Sequence, residues 1–350
     1  PRCSRRMRVQ AVGSTRAPLS PVLQRALLST MAEAEEAGAD GGGAAGFCWS
    51  FGIGSNMNVD LVENKKGVKV LDHVGGSVPG WLMSFSQEGL DFVDPRYGNA
   101  RPMTEEELAA KTMPMHGVAL KLSLEDMDKM DRQEGYKPDP HPTGYGKAEV
   151  NVQAYDGRTF KAWVYSARKP AEEGRCSKRY LGVLVSGARA AGLDETYIGA
   201  LASTPTYVPA AETLALRELL PPLASLPGMT VEELAATNRG EAAESSDTAC
   251  ACVFGYIFKL PKKKIFFGSH RGRDCTARFS RHFRGISMDL NDDLGKPPFR
   301  LPAHFESDDE REYVRQWMDH YIAKGGIAAI VAHLVEYREQ LESEEKENEK

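Results

Sequence analysis

The chain has 350 residues, of which 41% are hydrophobic and 27% charged, and its formal net charge is −5. These values are typical of a globular protein with one to three domains, and they give no global reason to expect a nucleic-acid partner. The six cysteines form no CxxC pair, so we expect reduced thiols and no zinc site, and no apolar run reaches the roughly 18 residues that a membrane span needs.

The first residues differ in composition from the rest of the chain. Residues 1–30 contain six Arg and no acidic residue, which is typical of an organelle transit peptide. The alternative is a sequence artefact, because the chain does not begin with Met and Met31 could be the true start. We predict that residues 1–46 are disordered. The expected location is the cytoplasm, or the mitochondrion or plastid if residues 1–30 are a transit peptide.

Residues 47–209 show strand patterns first, then a helix between strands, and then helices. The runs FCWSFGIG, VPGWLMSFS and MHGVALKLS predict strands, and SLEDMDKMDRQE predicts a helix that Ser123 caps and Gly135 ends. Asp156-Gly157 predicts the turn of a β-hairpin, and SKRYLGVLVSGARAAG has helical spacing. This order predicts an α+β fold and differs from the alternating βα pattern of a nucleotide-binding sheet.

One helical stripe ends in a carboxylate. Met127, Met130 and Glu134 share a face, so Glu134 must either leave water or face a cavity. A buried carboxylate has a raised pKa, which suits a general base that works near neutral pH. The alternative is that the helix frays at Gly135 and releases the side chain to solvent.

Four motifs in this region occur in a known order. FGIGSNM, MDRQEGY, GYGKAEV and SKRYLGVLVSGARAAGLDETYIGAL resemble the γ-glutamylcyclotransferase family, which is related to the AIG2-like proteins. The resemblance covers about residues 47–209. It implies a small, closed mixed β-barrel with flanking helices. It also implies cyclisation of a γ-glutamyl group to 5-oxoproline with release of the amine, a lyase-type reaction of glutathione metabolism that needs no metal or other cofactor.

The resemblance also implies which residues form the site. Glu134 is the expected general acid/base, and a small-molecule γ-glutamyl compound is the expected partner. The remaining residues would bind the substrate: Ile53, Gly54, Ser55, Asn56, Met57, Tyr145, Tyr165 and Tyr180. The family usually has Tyr at the position of Ile53. This departure leaves open an alternative, a non-catalytic binding protein on the same fold, and the oligomeric alternative of a homodimer also stays open.

Beyond the resemblance, the sequence predicts a linker at 210–249 and a C-terminal α/β unit of unknown type at 250–350. Residues 259–284 hold nine Lys or Arg with interleaved Phe. They could contact phosphate or RNA, but we favour a solvated basic face with its Phe turned inward, and therefore do not expect nucleic acid. Two C-terminal helices are expected to pack the stripe around Trp317 on the run CVFGYIFKL, and this unit is expected to contribute no catalytic group.

Overall fold

The computed structural model describes residues 46–239, 244–264, 268–285 and 299–349. The predictions for residues 1–45 lie outside these ranges. The strands are β1 (Phe47–Gly52), β2 (Val70–Val78), β3 (Trp81–Leu90), β4 (Asp94–Pro102), β5 (Met115–Ser123), β6 (Tyr145–Ala154), β7 (Thr159–Ala167), β8 (Gly228–Met229), β9 (Thr248–Val253), β10 (Tyr256–Pro261) and β11 (Ile330–Leu334). The α-helices are α1 (Val59–Lys66), α2 (Glu105–Ala109), α3 (Leu124–Glu134), α4 (Lys178–Ala190), α5 (Glu195–Ala202), α6 (Ala211–Arg217), α7 (Val231–Ala236), α8 (Thr276–Phe283), α9 (Asp308–Gly325) and α10 (Val335–Asn348).

Five strands form a closed barrel in the order β1-β5-β2-β6-β7. A parallel contact between β1 and β7 closes it, and the other pairs are antiparallel. On β6, Val150, Val152 and Ala154 alternate with exposed residues, and they are buried inside. The prediction of an α+β fold with a small closed mixed barrel and flanking helices is therefore confirmed.

Local signals in the sequence determine several element ends. The Ser123 hydroxyl accepts a hydrogen bond from the Asp126 backbone N–H at 3.0 Å and caps α3. Gly135, with φ of 66°, ends that helix in the left-handed conformation, and Gly157, with φ of 89°, makes the predicted turn between β6 and β7. These ends fix Glu134 at the last turn of α3.

A separate two-stranded sheet, β3-β4, lies against the barrel. The Ala167 backbone N–H at the end of β7 donates to the Asn99 side chain on β4 at 2.8 Å, and the Ser166 hydroxyl donates to the Ala100 carbonyl, also at 2.8 Å. The predicted strand VPGWLMSFS was placed wrongly at its start, because Val78 ends β2 and a turn precedes β3. Strands β2 and β4 were not predicted.

The C-terminal residues build a second sheet in the order β8-β11-β10-β9. Helix α9 packs on this sheet, and Trp317 on it stacks against Phe279 with ring centroids 4.2 Å apart. The run CVFGYIFKL is a hairpin with Phe254 and Gly255 at its turn, and is not one strand. The predicted linker 210–249 is corrected in part, because β8 lies within it and pairs with β11, and because Leu234 is buried in the same core.

The β3-β4 sheet and the C-terminal sheet pack into one hydrophobic cluster. Val93, next to β4, is fully buried in the hydrophobic cluster that contains Trp317, and the residues from Phe47 onward form one compact unit. Arg217 also ties α6 to α9 through hydrogen bonds to Asp319 and Glu312. The boundary between a catalytic and an appended domain stays a prediction. No helix within the described ranges is long and apolar enough to cross a membrane.

Candidate active site

A cavity of about 330 Å³ opens beside the end of β1. Most of the residues predicted from the sequence line it, namely Ile53, Gly54, Ser55, Asn56, Glu134, Tyr145, Tyr165 and Tyr180. Met57 does not, because its side chain is 1% exposed and packs in the barrel-side core. The structure therefore brings together the carboxylate, the small-residue loop and the three tyrosines. Met57, in contrast, is a residue of the hydrophobic core.

The loop after β1 needs its small residues for steric reasons. A Cβ atom on Gly52 would lie 2.8 Å from the backbone of Asn56, and one on Gly54 would lie 3.1 Å from the Tyr180 hydroxyl. The loop then forms a short 3-10 turn, Ser55–Met57, which presents the Asn56 side chain to the cavity. The abrupt change from an apolar strand to small residues thus allows a tight turn against Tyr180.

Glu134 is held by two partners. Its Oε1 atom accepts a hydrogen bond from the Asn56 amide nitrogen at 3.1 Å, and it forms an ion pair with the Lys66 ammonium. The Lys66 ammonium also donates to Asn56 Oδ1 at 2.6 Å, so the three side chains close a ring of contacts. The Glu134 and Lys66 side chains are only 17% and 20% exposed.

The second oxygen of Glu134 is available. Within the described part of the chain, both hydrogen bonds to this carboxylate end on Oε1, and Oε2 accepts none. A carboxylate that is fixed through one oxygen and open at the other can take a proton from a ligand and return it. The alternative, in which the helix frays at Gly135 and releases Glu134 to solvent, does not occur, because the helix runs through Glu134 and the side chain is 17% exposed.

Two of the tyrosines are placed to donate to a ligand. Burial and the nearby charge of Glu134 raise the pKa of Tyr145, and burial raises the pKa of Tyr180, so both phenols keep their protons. The Tyr180 hydroxyl oxygen accepts a hydrogen bond from the Gly98 backbone N–H at 3.2 Å, which leaves its own proton for a ligand.

Tyr165 differs from the other two. Its hydroxyl donates to Asp131 Oδ1 at 2.6 Å, and Asp131 is also paired with the Lys147 ammonium at 2.7 Å. Burial raises the pKa of Tyr165, and the hydrogen bond to Asp131 adds to this effect. Because its proton is directed to Asp131, Tyr165 shapes the cavity wall and does not donate to a ligand in this conformation.

Three residues at the site, Lys66, Tyr97 and Arg179, were not predicted from the sequence. Lys66 lies at the end of α1, where a lysine reads as a solvated charge. Tyr97 and Arg179 line the cavity from β4 and α4, and the Tyr97 ring meets the Tyr180 ring edge-on at 4.9 Å between centroids. Arg179 is next to Tyr180 in the SKRY motif, which is the one signal that could have found it.

The basic segment 259–284 makes internal contacts where the structure describes it. Phe279 is buried, and the Arg284 guanidinium pairs with Glu306 at 2.5 Å and with Glu310 at 3.5 Å. The buried Phe279 fits the prediction of a basic face with inward Phe, and Arg284 in addition has acidic partners from downstream in the chain. Among the described residues, no group of three His, Cys, Asp or Glu side chains is arranged to hold a metal ion.

Comparison with known proteins gives a family match to part of the barrel. Residues 115–201 match the AIG2-like family. Gamma-glutamyl cyclotransferase gliK of Aspergillus fumigatus is 26% identical over 182 residues, which cover 47% of this chain and 64% of the relative. Gamma-glutamyl cyclotransferase aclK of Aspergillus oryzae is 25% identical over 180 residues, with coverage of 47% and 64%. The chain thus spans less than two thirds of the length of these two relatives.

Solved structures show weaker likeness. A human uncharacterized protein has a TM-score of 0.39 at 16% identity, with 47% of this chain and 92% of that chain covered. A yeast gamma-glutamyl cyclotransferase specific to glutathione has a TM-score of 0.33 at 14% identity, with 45% and 97% covered. The resemblance to this family is confirmed by the family match, which spans three of the four sequence motifs, and by the fungal relatives.

Proposed function

We propose that this chain, which carries a domain of the AIG2-like and γ-glutamylcyclotransferase family, converts a γ-glutamyl amino acid, dipeptide or amine to 5-oxoproline and releases the amine. The observation that supports this most strongly is the position of Glu134. Its carboxylate lines the cavity beside the loop 53–56, with Oε1 fixed by two partners and Oε2 open.

The reaction needs one proton acceptor that later becomes a donor. Glu134 Oε2 takes a proton from the substrate α-ammonium, and the free amine then attacks the γ-carbonyl carbon to form the ring C–N bond. Glu134 returns that proton to the leaving nitrogen, and the original amide C–N bond breaks. The ring nitrogen still carries one proton more than the amide of 5-oxoproline, and Glu134 passes this second proton to the released amine, which leaves as an ammonium. One carboxylate is sufficient for this cycle because it acts as a base and then as an acid in each of the two transfers.

Ring closure also depends on geometry. The amine and the carbonyl belong to the same substrate, so holding them in contact can supply an effective molarity on the order of 10⁵ M or more. The small residues Gly54 and Ser55 allow the backbone to approach the substrate, and the Tyr145 and Tyr180 phenols can donate to its carboxylate. The protein's task in this proposal is therefore to fold the substrate and to move protons from the ring nitrogen to the leaving nitrogen.

The test is Glu134→Gln, which keeps the side-chain shape and removes the base. We expect a folded protein whose rate of 5-oxoproline formation falls by about 10²- to 10⁴-fold on its best substrate from a γ-glutamyl panel. The exposed neighbour Gln133 provides the control, since Gln133→Ala changes the same helix turn outside the cavity. Turnover by Glu134→Gln at the wild-type rate would contradict the assignment.

A second candidate function rests on Ile53. This residue lines the cavity and is 7% exposed, so an aliphatic group stands where the family usually has a phenol. A protein that binds γ-glutamyl compounds without turning them over would show calorimetric binding of the panel and no release of amine by the wild type. That outcome would replace the enzyme proposal with a binding function.

A further inference from the structure

The cavity contains two ionised lining residues among those that the structure describes, Glu134 and Arg179. A γ-glutamyl group carries its ammonium and its carboxylate on the same carbon, so both stay near Glu134 when the ammonium delivers its proton there. A cation elsewhere in the cavity is therefore available for a different negative charge.

Arg179 is held in a fixed orientation. Its Nη2 atom donates to Asp94 Oδ2 at 2.7 Å and its Nε atom donates to Asp94 Oδ1 at 3.3 Å, and these side chains are 10% and 3% exposed. The Ser177 hydroxyl donates to the same carboxylate, and the Tyr313 ring lies 5.7 Å from the guanidinium carbon. A guanidinium that is fixed on one edge loses little entropy when its other edge binds an anion.

One edge of the guanidinium remains available. Within the described ranges, the hydrogen bonds of Arg179 use Nε and Nη2, and none uses Nη1. Nη1 can therefore donate to a carboxylate that enters the cavity. A charge-assisted bond of this kind is about twice as strong as a neutral one.

Arg179 lies on the side of the cavity that faces the C-terminal residues. It lines a second cavity of about 320 Å³ together with residues of α9 such as Glu312 and Tyr313, whereas Glu134 does not line that cavity. Glu134 instead contacts Asn56 and Lys66, on the side of the loop that follows β1. A substrate with its ammonium at Glu134 would thus direct its leaving group towards Arg179 and the C-terminal residues.

We infer that Arg179 is a specificity-determining residue that binds the carboxylate of the leaving group, so that the chain prefers γ-glutamyl amino acids and peptides to γ-glutamyl amines. This inference rests on the proposed cyclotransferase function. It also gives the C-terminal residues a part in substrate choice, because Tyr313 covers the guanidinium that does the binding.

The experiment uses two substrates that differ only in this carboxylate, γ-glutamylalanine and γ-glutamylethylamide. For the full-length chain we expect kcat/KM to be about 10- to 100-fold higher for γ-glutamylalanine, which is the range expected for one hydrogen bond between charged groups. Arg179→Met should bring the ratio close to one, and Arg179→Lys should restore part of it. Equal kcat/KM values for the wild type, or a preference that survives in Arg179→Met, would overturn the inference.

Arg189→Met provides a matched control. It removes an exposed cation of the same helix that does not line the cavity, so the preference should persist. If Arg179→Met does not fold because Asp94 is left unpaired, the double variant Arg179→Met/Asp94→Asn tests the same ratio without a buried lone charge.

Binding separates this inference from the proposed function. Calorimetric titration of Glu134→Gln with the two compounds measures the carboxylate preference without turnover. If no compound of the γ-glutamyl panel, these two included, yields 5-oxoproline with the wild type, the cyclotransferase proposal fails, and tighter binding of γ-glutamylalanine would still support the role of Arg179. Equal affinities for both compounds would reject that role.

Discussion

Replacing Lys66 by Met tests whether the ion pair at Glu134 sets the orientation of the proposed base. The Lys66 ammonium contacts both Glu134 and Asn56, and less than a quarter of each ion-pair side chain is exposed. A hydrogen bond between charged groups contributes about 1.5–3 kcal/mol. If the lost contact destabilises the transition state more than the bound substrate, kcat should fall by about 10- to 100-fold with a smaller change in KM.

The assay is steady-state release of 5-oxoproline, with two further variants. Lys66→Arg keeps the positive charge and should recover most of kcat. Lys65→Met is the matched control, because the Lys65 ammonium donates to the Gly285 carbonyl at 3.0 Å and makes no contact with Glu134. A wild-type kcat for Lys66→Met, or an equal loss for Lys65→Met, would refute the argument that Lys66 positions the carboxylate.

Two further predictions concern the stability of the C-terminal residues. Arg217→Met should lower the free energy of unfolding by about 3–5 kcal/mol in urea denaturation, because it leaves the 1%-exposed Asp319 carboxylate unpaired. The control Lys178→Met breaks the exposed pair with Asp309 and should lower it by less than about 1 kcal/mol. Similar losses for the two variants would contradict this prediction. Burial lowers the pKa of His320 to about 4, below the ordinary value of 6.5, so its neutral form stabilises the fold above pH 6.5 and that contribution is lost as pH falls towards 4. His320→Gln should therefore gain stability relative to the wild type between pH 6.5 and 4, and a difference that is constant over this range would argue against a buried neutral imidazole.

The elements that sequence analysis predicted correctly are those with strong local signals. Ser123 and Gly135 define the ends of α3, and Gly157 defines the hairpin turn, because each acts within a few residues of itself. Strand β2 was missed since Gly75-Gly76 reads as a turn. The strand needs glycine there because a Cβ atom on Gly76 would lie 2.7 Å from the Gln153 carbonyl oxygen on β6.

The C-terminal region shows a second reason for missed elements. The second of the two predicted C-terminal helices was expected to follow the break at Gly325-Gly326, but Ile330–Leu334 first form β11 between β10 and β8, and the helix begins at Val335. A short apolar run fits a buried helix turn and a buried strand equally well. The neighbouring strands in the sheet decide between helix and strand for this run. One of them, β8, lies about a hundred residues earlier in the chain, and its Gly228 pairs with His333.

The charges at the candidate site were missed for a related reason. Glu134 and Asn56 were found because they stand in recognisable motifs, whereas Lys66 and Arg179 acquire their roles from partners 68 and 85 residues away. Each of the two ionised groups that line the cavity is balanced by a partner of opposite charge, Lys66 for Glu134 and Asp94 for Arg179. The cavity lining therefore carries little uncompensated charge, yet Glu134 keeps Oε2 and Arg179 keeps Nη1 for a ligand. Such a site would favour a substrate that brings an ammonium at one end and a carboxylate at the other.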